Sequence, residues 1–291
     1  MYQSRSFLKT PRDEEKLWRY MDLSEFIYLL SESRLYFSEL RQFPDKCEGA
    51  FPNAINEPMK EHPGVLWAKQ HTNENQALEM VRTDFKQKQH CYGVNCWHLN
   101  DVESVAMWKL YTSGIDGVAI QTTVGRLKAS LALEPRDLFI AKVRYIDHEA
   151  EQVSEPMEAD ALTPLIIKRR SYRHEREVRI ILDRPPANDP YVEYGMRLGI
   201  GHLGETLQVD ITKLIEKIVV AEKFPPWAIS SLQEFLDAKD IQVKIEGSDL
   251  LNTPQAAVDL SSRSIAGSVV AQTPTHLGYE RPGKRITRKH E

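Results

Sequence analysis

The chain lacks any run of about 18 apolar residues, the length a membrane-spanning helix needs, so no membrane partner is expected. Its opening, MYQSRSFLKTPRDEEK, has no apolar stretch of secretory-signal type, and a cytoplasmic location is the expectation. Cysteine is scarce: Cys47, Cys91 and Cys96 are an odd three in 291 residues, which argues against a disulfide framework and for reduced thiols. A large excess of charge is missing too. A formal net charge of −4 gives no global case for binding nucleic acid or anionic lipid, so any such contact has to be local. Also absent are GxGxxG, a Walker loop, HExxH and GxSxG, the usual marks of common nucleotide-binding, metalloprotease and hydrolase classes.

What is present suffices for a folded core: 41% hydrophobic residues and five Trp, with 27% charged residues. Leu17–Met21 reads as a strand, and LSEFIYLLSES as a helix capped by Asp22. RLYFSEL returns to strand. The four prolines of Gln42–Pro63 predict a long loop, and ENQALEMVRTDFKQKQ a helix. HCYGVNCWHL, DGVAIQTT and LFIAKVRYID read as strands, DVESVAMWKLYTSG and GRLKASLAL as helices. ETLQVDI, EKIVVAE and IQVKIEG follow as strands, with the proline-opened helix PWAISSLQEFLDAK among them. This order lacks regular βαβ repetition. It predicts an α+β fold, a mixed and mainly antiparallel sheet with flanking helices in a single domain. The domain is expected over residues 15–251, after a flexible N-terminus at 1–14. A Ser/Thr/Pro-rich tail with a basic end, 252–291, is expected to be disordered.

The most informative segment is KRRSYRHEREVRIIL, Lys168 to Leu182. As a strand it would place Arg176, Val178, Ile180 and Leu182 on one face and Glu175, Glu177, Arg179 and Ile181 on the other. Carboxylates at i and i+2 lie about 6–7 Å apart on a strand, near enough to act on one ligand. Such pairs serve sugar-cation chemistry where glycosidic bonds break. The competing reading is a charged outer face paired across neighbouring strands. The same run holds Lys168, Arg169, Arg170, Arg173, Arg176 and Arg179, which suits phosphate or nucleic acid, with the basic tail as accessory. An acidic stretch, His148–Thr163, precedes it and offers intramolecular neutralisation instead.

His90, Cys91, Cys96 and His98 invite a zinc reading. No Cys-x-x-Cys pair exists, and on one strand Cys91 would face away from Cys96 and His98, so no metal site is expected. Trp108 and Tyr111 are i, i+3 neighbours on one helix, which suits core packing or a cleft wall.

Taken together, LWRYMDLSEFIYLLSESRLYFSELRQFPDKCEG, CWHLNDVESVAMWKLYTSGIDGVAI, YRHEREVRIIL and IEKIVVAEKF resemble the bacterial and phage family named domain of unknown function 2971. The resemblance rests on Arg19 and Tyr20; on Phe43, Asp45, Glu48 and Gly49; on Ser104, Met107, Trp108 and Tyr111; and on Glu175, Glu177 and Arg179. Lys46-Cys47 stands where the family often has Pro-Phe, and Tyr172 where Trp is frequent. A more distant similarity is to ADP-ribosyltransferases. By that analogy Arg19 would hold a phosphate or ribose of NAD, Glu177 would stabilise an oxocarbenium-like transition state, and Glu175 would activate the acceptor. Ser104 or Tyr36 would line the same cleft, although the Ser-Thr-Ser strand of that group is missing. The expectation is therefore an enzyme acting on a nucleotide-like ligand, with NAD as substrate for ADP-ribosyl transfer or hydrolysis. Glu175 and Glu177 are its catalytic candidates, and Arg19, Glu48, Trp108, Tyr111 and Arg179 its ligand-binding ones. The alternative is a non-catalytic module that binds nucleic acid or a protein in stress or phage defence.

Overall fold

A computed structural model describes residues 2–45, 47–150, 157–184 and 204–250. The expected tail at 252–291 lies outside these residues. The fold is α+β, as expected, and nine of its strands form one mixed, mostly antiparallel sheet.

Four strands form the first arm of that sheet. β1 (Lys16–Asp22) pairs along its length with β4 (Gly117–Thr123), followed by β10 (Lys217–Val220) and the parallel edge strand β11 (Ile245–Gly247). β2 (Arg34–Ser38) and β9 (Gly204–Gln208) form a second arm. β3 (Tyr92–Leu99) joins the two. One edge of β3 pairs from Tyr92 to His98 with β8 (Glu177–Asp183), whose far edge takes β5 (Leu138–Lys142). The other edge is shared, because β2 meets it at Val94 and β1 only at His98 and Leu99. Between those points the sheet is split, and on this edge Asn95, Cys96 and Trp97 face the gap with no strand partner among the described residues.

Buried backbone groups need partners, and side chains supply them here. Arg19 of β1 donates through Nη1 to the Cys96 carbonyl at 3.0 Å, and Asn95 Nδ2 donates to the Tyr36 carbonyl of β2 at 2.9 Å.

One face of the sheet carries Leu17, Met21, Trp97, Ile120, Val178 and Ile180 against α1 (Leu23–Glu32) and the helix Pro226–Ala238, the largest core. The other face carries Trp18, Tyr20, Ala119 and Val219 on one side of the split and Val94, Phe139, Ala141 and Ile181 on the other. Between these two apolar patches the same face bears Cys96, His98, Glu177 and Arg179.

Three expectations change. The Gln42–Pro63 loop contains a helix, α2 (Asn56–Lys60), and Pro63 opens another, α3 (Pro63–Ala68), that packs with α4 (Glu74–Lys88) in a separate apolar cluster. Proline lacks an N–H, which the first helical position does not need, so here it starts a helix rather than breaking one. The single strand expected over Leu138–Asp147 divides after Lys142. Its partner β8 begins at Glu177, so the ladder runs out, and β6 (Arg144–Ile146) pairs instead with β7 (Ile167–Arg169) in a small parallel sheet. The segment before β1, expected to be flexible, lies against β5: Gln3 N–H donates to the Leu138 carbonyl, Lys142 N–H to that of Lys9, and Leu8 is buried.

Candidate functional site

The split in the sheet opens into a cleft of about 660 Å³. Its floor is β3 from Val94 to His98, one wall is β1 with Arg19 and Tyr20, and Tyr36 and Ser38 of β2 border it. The far wall combines Glu48, Lys168, Tyr172, Glu175 and Glu177 with Tyr111 from α5 (Val105–Tyr111).

The local backbone around the two carboxylates differs from the strand expected. Alternation holds from Glu177 onward, with Val178, Ile180 and Leu182 in the main core. Glu175, however, ends a 3-10 turn, Arg170–Glu175, and Arg176 adopts a left-handed conformation at φ 41°. Arg176 thus breaks the strand, and Glu175 approaches Glu177 from a turn that folds over β8. The charged face is not exposed: Glu175 is 5%, Glu177 6% and Arg179 0% accessible. An outward, solvated charge row is therefore overturned.

Burial requires pairing, and the pairs are close. Lys168 Nζ lies 2.5 Å from Glu175 Oε2, 3.1 Å from Glu48 Oε1 and 3.5 Å from Glu177 Oε2. Arg179 forks onto Glu177 (2.9 and 3.1 Å), donates to Glu48 at 2.6 Å and to the Leu165 carbonyl at 2.7 Å. Three carboxylates thus face two cations. Burial by itself would raise the Glu177 carboxyl, but Arg179 and Lys168 overcome it and bring it down to about 2. Burial opposes the Lys168 charge as well, yet Glu177, Glu175 and Glu48 hold its ammonium above the ordinary lysine range. Glu177 is accordingly ionised across the neutral range.

Tyr111 is half-exposed at the rim, and its hydroxyl donates to Glu175 Oε1 at 3.1 Å. Burial of that hydroxyl, then the neighbouring Glu175 charge, push its pKa up, so it remains a donor. Tyr145 uses its hydroxyl to accept the Glu177 N–H at 2.7 Å, fixing the start of β8.

Arg19 differs from the other cations. Apart from the Cys96 carbonyl, it has no hydrogen-bond or ion-pair partner among the described residues. Burial works against its charge and lowers its pKa, but a guanidinium stays protonated in proteins. It is a cation in a cleft wall with donors to spare.

Of the residues singled out in the sequence, Arg19, Glu48, Tyr111, Glu175 and Glu177 line this one cleft. Arg179 sits beneath the carboxylates rather than on the surface. Trp108 stands behind Tyr20, edge-on at 5.1 Å, with its Nε1 on Glu103. Tyr36 borders the cleft, whereas Ser104 caps α5 and donates its N–H to the Tyr20 hydroxyl. The basic run is only partly tied up, because Arg170 and Arg173 stay exposed. Lys168 and Arg179 are consumed by carboxylates, Arg169 pairs with Asp45 at 2.8 Å and Arg176 with Asn100.

Two residues escaped the sequence reading in their roles. Lys168 looked like part of a phosphate-binding stripe, and only the turn over β8 shows it neutralising glutamates. His98 draws attention in the sequence only through the zinc reading. It is buried in the cleft floor, its Nδ1 is 2.6 Å from the Glu175 carbonyl, and burial keeps its pKa low. A carbonyl only accepts, so Nδ1 carries the hydrogen and Nε2 is left as an acceptor without a partner among the described residues. No group of His, Cys, Asp and Glu among the described residues could hold a metal.

No family model matches the chain, and no curated protein matches it.

Proposed function

We propose that the chain is an enzyme that binds a nucleotide-like ligand in the split of the sheet and acts on the N-glycosidic bond of NAD, by hydrolysis or by ADP-ribosyl transfer. One observation carries this reading: Arg19, which has no ion-pair partner among the described residues, and an ionised carboxylate, Glu177, line the same cleft. A phosphate suits the first and a developing sugar cation suits the second.

In this reading the bond between ribose C1′ and the nicotinamide nitrogen breaks, and its electron pair leaves with the ring. The positive charge growing on the ribose faces Glu177, which is already ionised and already fixed by Arg179, so little reorganisation is needed. Water or an acceptor hydroxyl forms the new C1′–O bond and passes its proton to Glu175. Tyr111 and Lys168, both bonded to Glu175, orient that carboxylate. The similarity to domain of unknown function 2971 is part of the same proposal. Its support is that Arg19, Asp45, Glu48, Tyr111, Glu175 and Glu177, which carry the resemblance, all border one cleft.

A second reading has an observation of its own. Both glutamates are already held by Lys168, which fits a cleft that binds such a ligand without consuming it. Nicotinamide release from NAD separates the two. Glu177→Gln is expected to lower release by about 100-fold or more while the circular dichroism spectrum is kept. Glu175→Gln, whose partner Arg179 contact is nil, serves as the second variant should the first fail to fold. Undiminished release in either folded variant refutes the role assigned to that carboxylate. NAD binding with no release at all supports this second reading of a cleft that holds the ligand without consuming it.

A further inference from the structure

A second cavity, of about 470 Å³, adjoins the cleft, is bordered by none of Glu48, Glu175 and Glu177, and shares Arg19, Glu25 and Tyr36 with it. Its remaining wall comes from α1 and the β2–β9 arm, including Tyr28, Arg34 and Thr206. Arg19 stands at the junction and borders both spaces.

The two cavities differ in charge. The first has Arg19 and Lys168 against six carboxylates, Asp22, Glu25, Asp45, Glu48, Glu175 and Glu177. The second has Arg19 and Arg34 against Glu25 alone, whose carboxylate already accepts the Asp22 N–H at 3.3 Å. Arg34 donates to Thr206 Oγ1 at 3.1 Å, and neither arginine has an ion pair among the described residues. The anionic part of a ligand therefore belongs at the junction and beyond it, and the hydroxyl-bearing part belongs among the carboxylates.

The second cavity also has aromatic sides. Tyr28 is 48% and Tyr36 40% accessible, high for large rings, and Tyr36 is held in place rather than loose. Its hydroxyl donates to Gln42, and its ring lies against Gly204, where an added Cβ would come within 2.4 Å. Planar bases stack on such rings.

We infer that the second cavity is a subsite for the distal nucleoside of a dinucleotide, whose diphosphate bridge lies on Arg19 and Arg34 and whose base stacks against Tyr28 and Tyr36. This rests on the nucleotide reading of the first cleft and adds to it a ligand of two halves. Tyr28 and Arg34 thereby become specificity residues with no part in the chemistry.

The test compares NAD with nicotinamide mononucleotide, the half that would fill only the first cleft, by calorimetric titration of the whole chain. NAD is expected to bind at least about tenfold tighter than the mononucleotide, a gap of about 1.4 kcal/mol. Arg34→Ala and Tyr28→Ala are expected to erase that gap, Tyr28→Ala leaving mononucleotide affinity unchanged; both side chains are exposed, so the fold should survive. Mononucleotide binding with no advantage for NAD, or an advantage that both variants retain, overturns the subsite and leaves the first cleft's reading standing. Binding of neither compound overturns both.

Discussion

Replacing Arg179 by Met should be the most damaging single change in the described domain. The guanidinium is fully buried, donates to Glu48, Glu177 and the Leu165 carbonyl, and lies over the Phe43 ring at 5.3 Å. Methionine fills much of the volume but leaves three interior carboxylates with one ammonium. Breaking a buried pair from one side costs about 3–5 kcal/mol. An independent route gives a similar size: a carboxyl drawn from 4.5 to about 2 corresponds to about 3 kcal/mol, and Arg179 is the largest attraction on Glu177. Total stability of a domain is about 5–15 kcal/mol, so the loss is a large share.

The variant carries a pH signature. In the native chain the folded-state pKa of Glu177 is depressed, so its contribution is full above the ordinary carboxylate value and is lost as pH falls through 4.5 towards 2. Without Arg179, burial raises Glu177, and its contribution is instead present at low pH and lost as pH rises. Urea unfolding followed by Trp fluorescence at pH 7 and pH 4 should show the deficit of Arg179→Met shrinking on acidification. A deficit under about 1 kcal/mol at pH 7, or one equal at both pH values, would refute the account of Glu177 as a carboxylate held ionised by Arg179.

Other outcomes follow from the same geometry. Tyr111→Phe removes the donor to Glu175 from a half-exposed ring, so nicotinamide release should fall about tenfold with Tm nearly unchanged; equal release removes Tyr111 from the site. Gly204→Ala places a Cβ 2.4 Å from the Tyr36 ring and 2.5 Å from the Phe37 carbonyl, and should cost about 1–3 kcal/mol in chemical unfolding with a changed Tyr36 environment. Because Lys168, Arg169 and Arg179 are already paired, this run should give oligonucleotides little hold at low salt, its exposed Arg170 and Arg173 being two cations only. Tight binding lost on changing Arg169 and Arg170 together would restore the nucleic-acid module.

Much of the fold was legible because its signals are local. The apolar period of Leu23–Glu32, the alternation of Glu177–Asp183 and the β-rich run of Gly117–Thr123 each report an element without reference to distant residues. Local signals failed where a partner decides the outcome. Nothing within Leu138–Asp147 says that its sheet partner ends at Glu177, so the break at Val143 is invisible there. Prolines 52, 58 and 63 look alike as loop residues, although Pro63 begins a helix because His62 caps it through Gly64 N–H.

The site divides in the same way. Glu175, Glu177 and Arg179 drew notice because charged residues alternating with apolar ones on a strand are conspicuous, and Arg19 only through the family resemblance. Their state was not readable. A glutamate on an alternating strand faces either water or a second layer, and whether it does so alone or beside Lys168 depends on where the Arg170–Glu175 turn folds.

By itself the sequence determined the class of fold, the order of most elements and the residue types that could carry charge-based chemistry, because periodicity and side-chain chemistry are properties of short segments. Only the tertiary structure decided that β1 and β2 part along one edge of β3, that Arg19 bridges the gap to the Cys96 carbonyl with no ion-pair partner among the described residues, and that the glutamates are buried and balanced by Lys168 and Arg179. Those facts depend on pairing between strands tens of residues apart, and burial and ion pairing exist only once that pairing has been made.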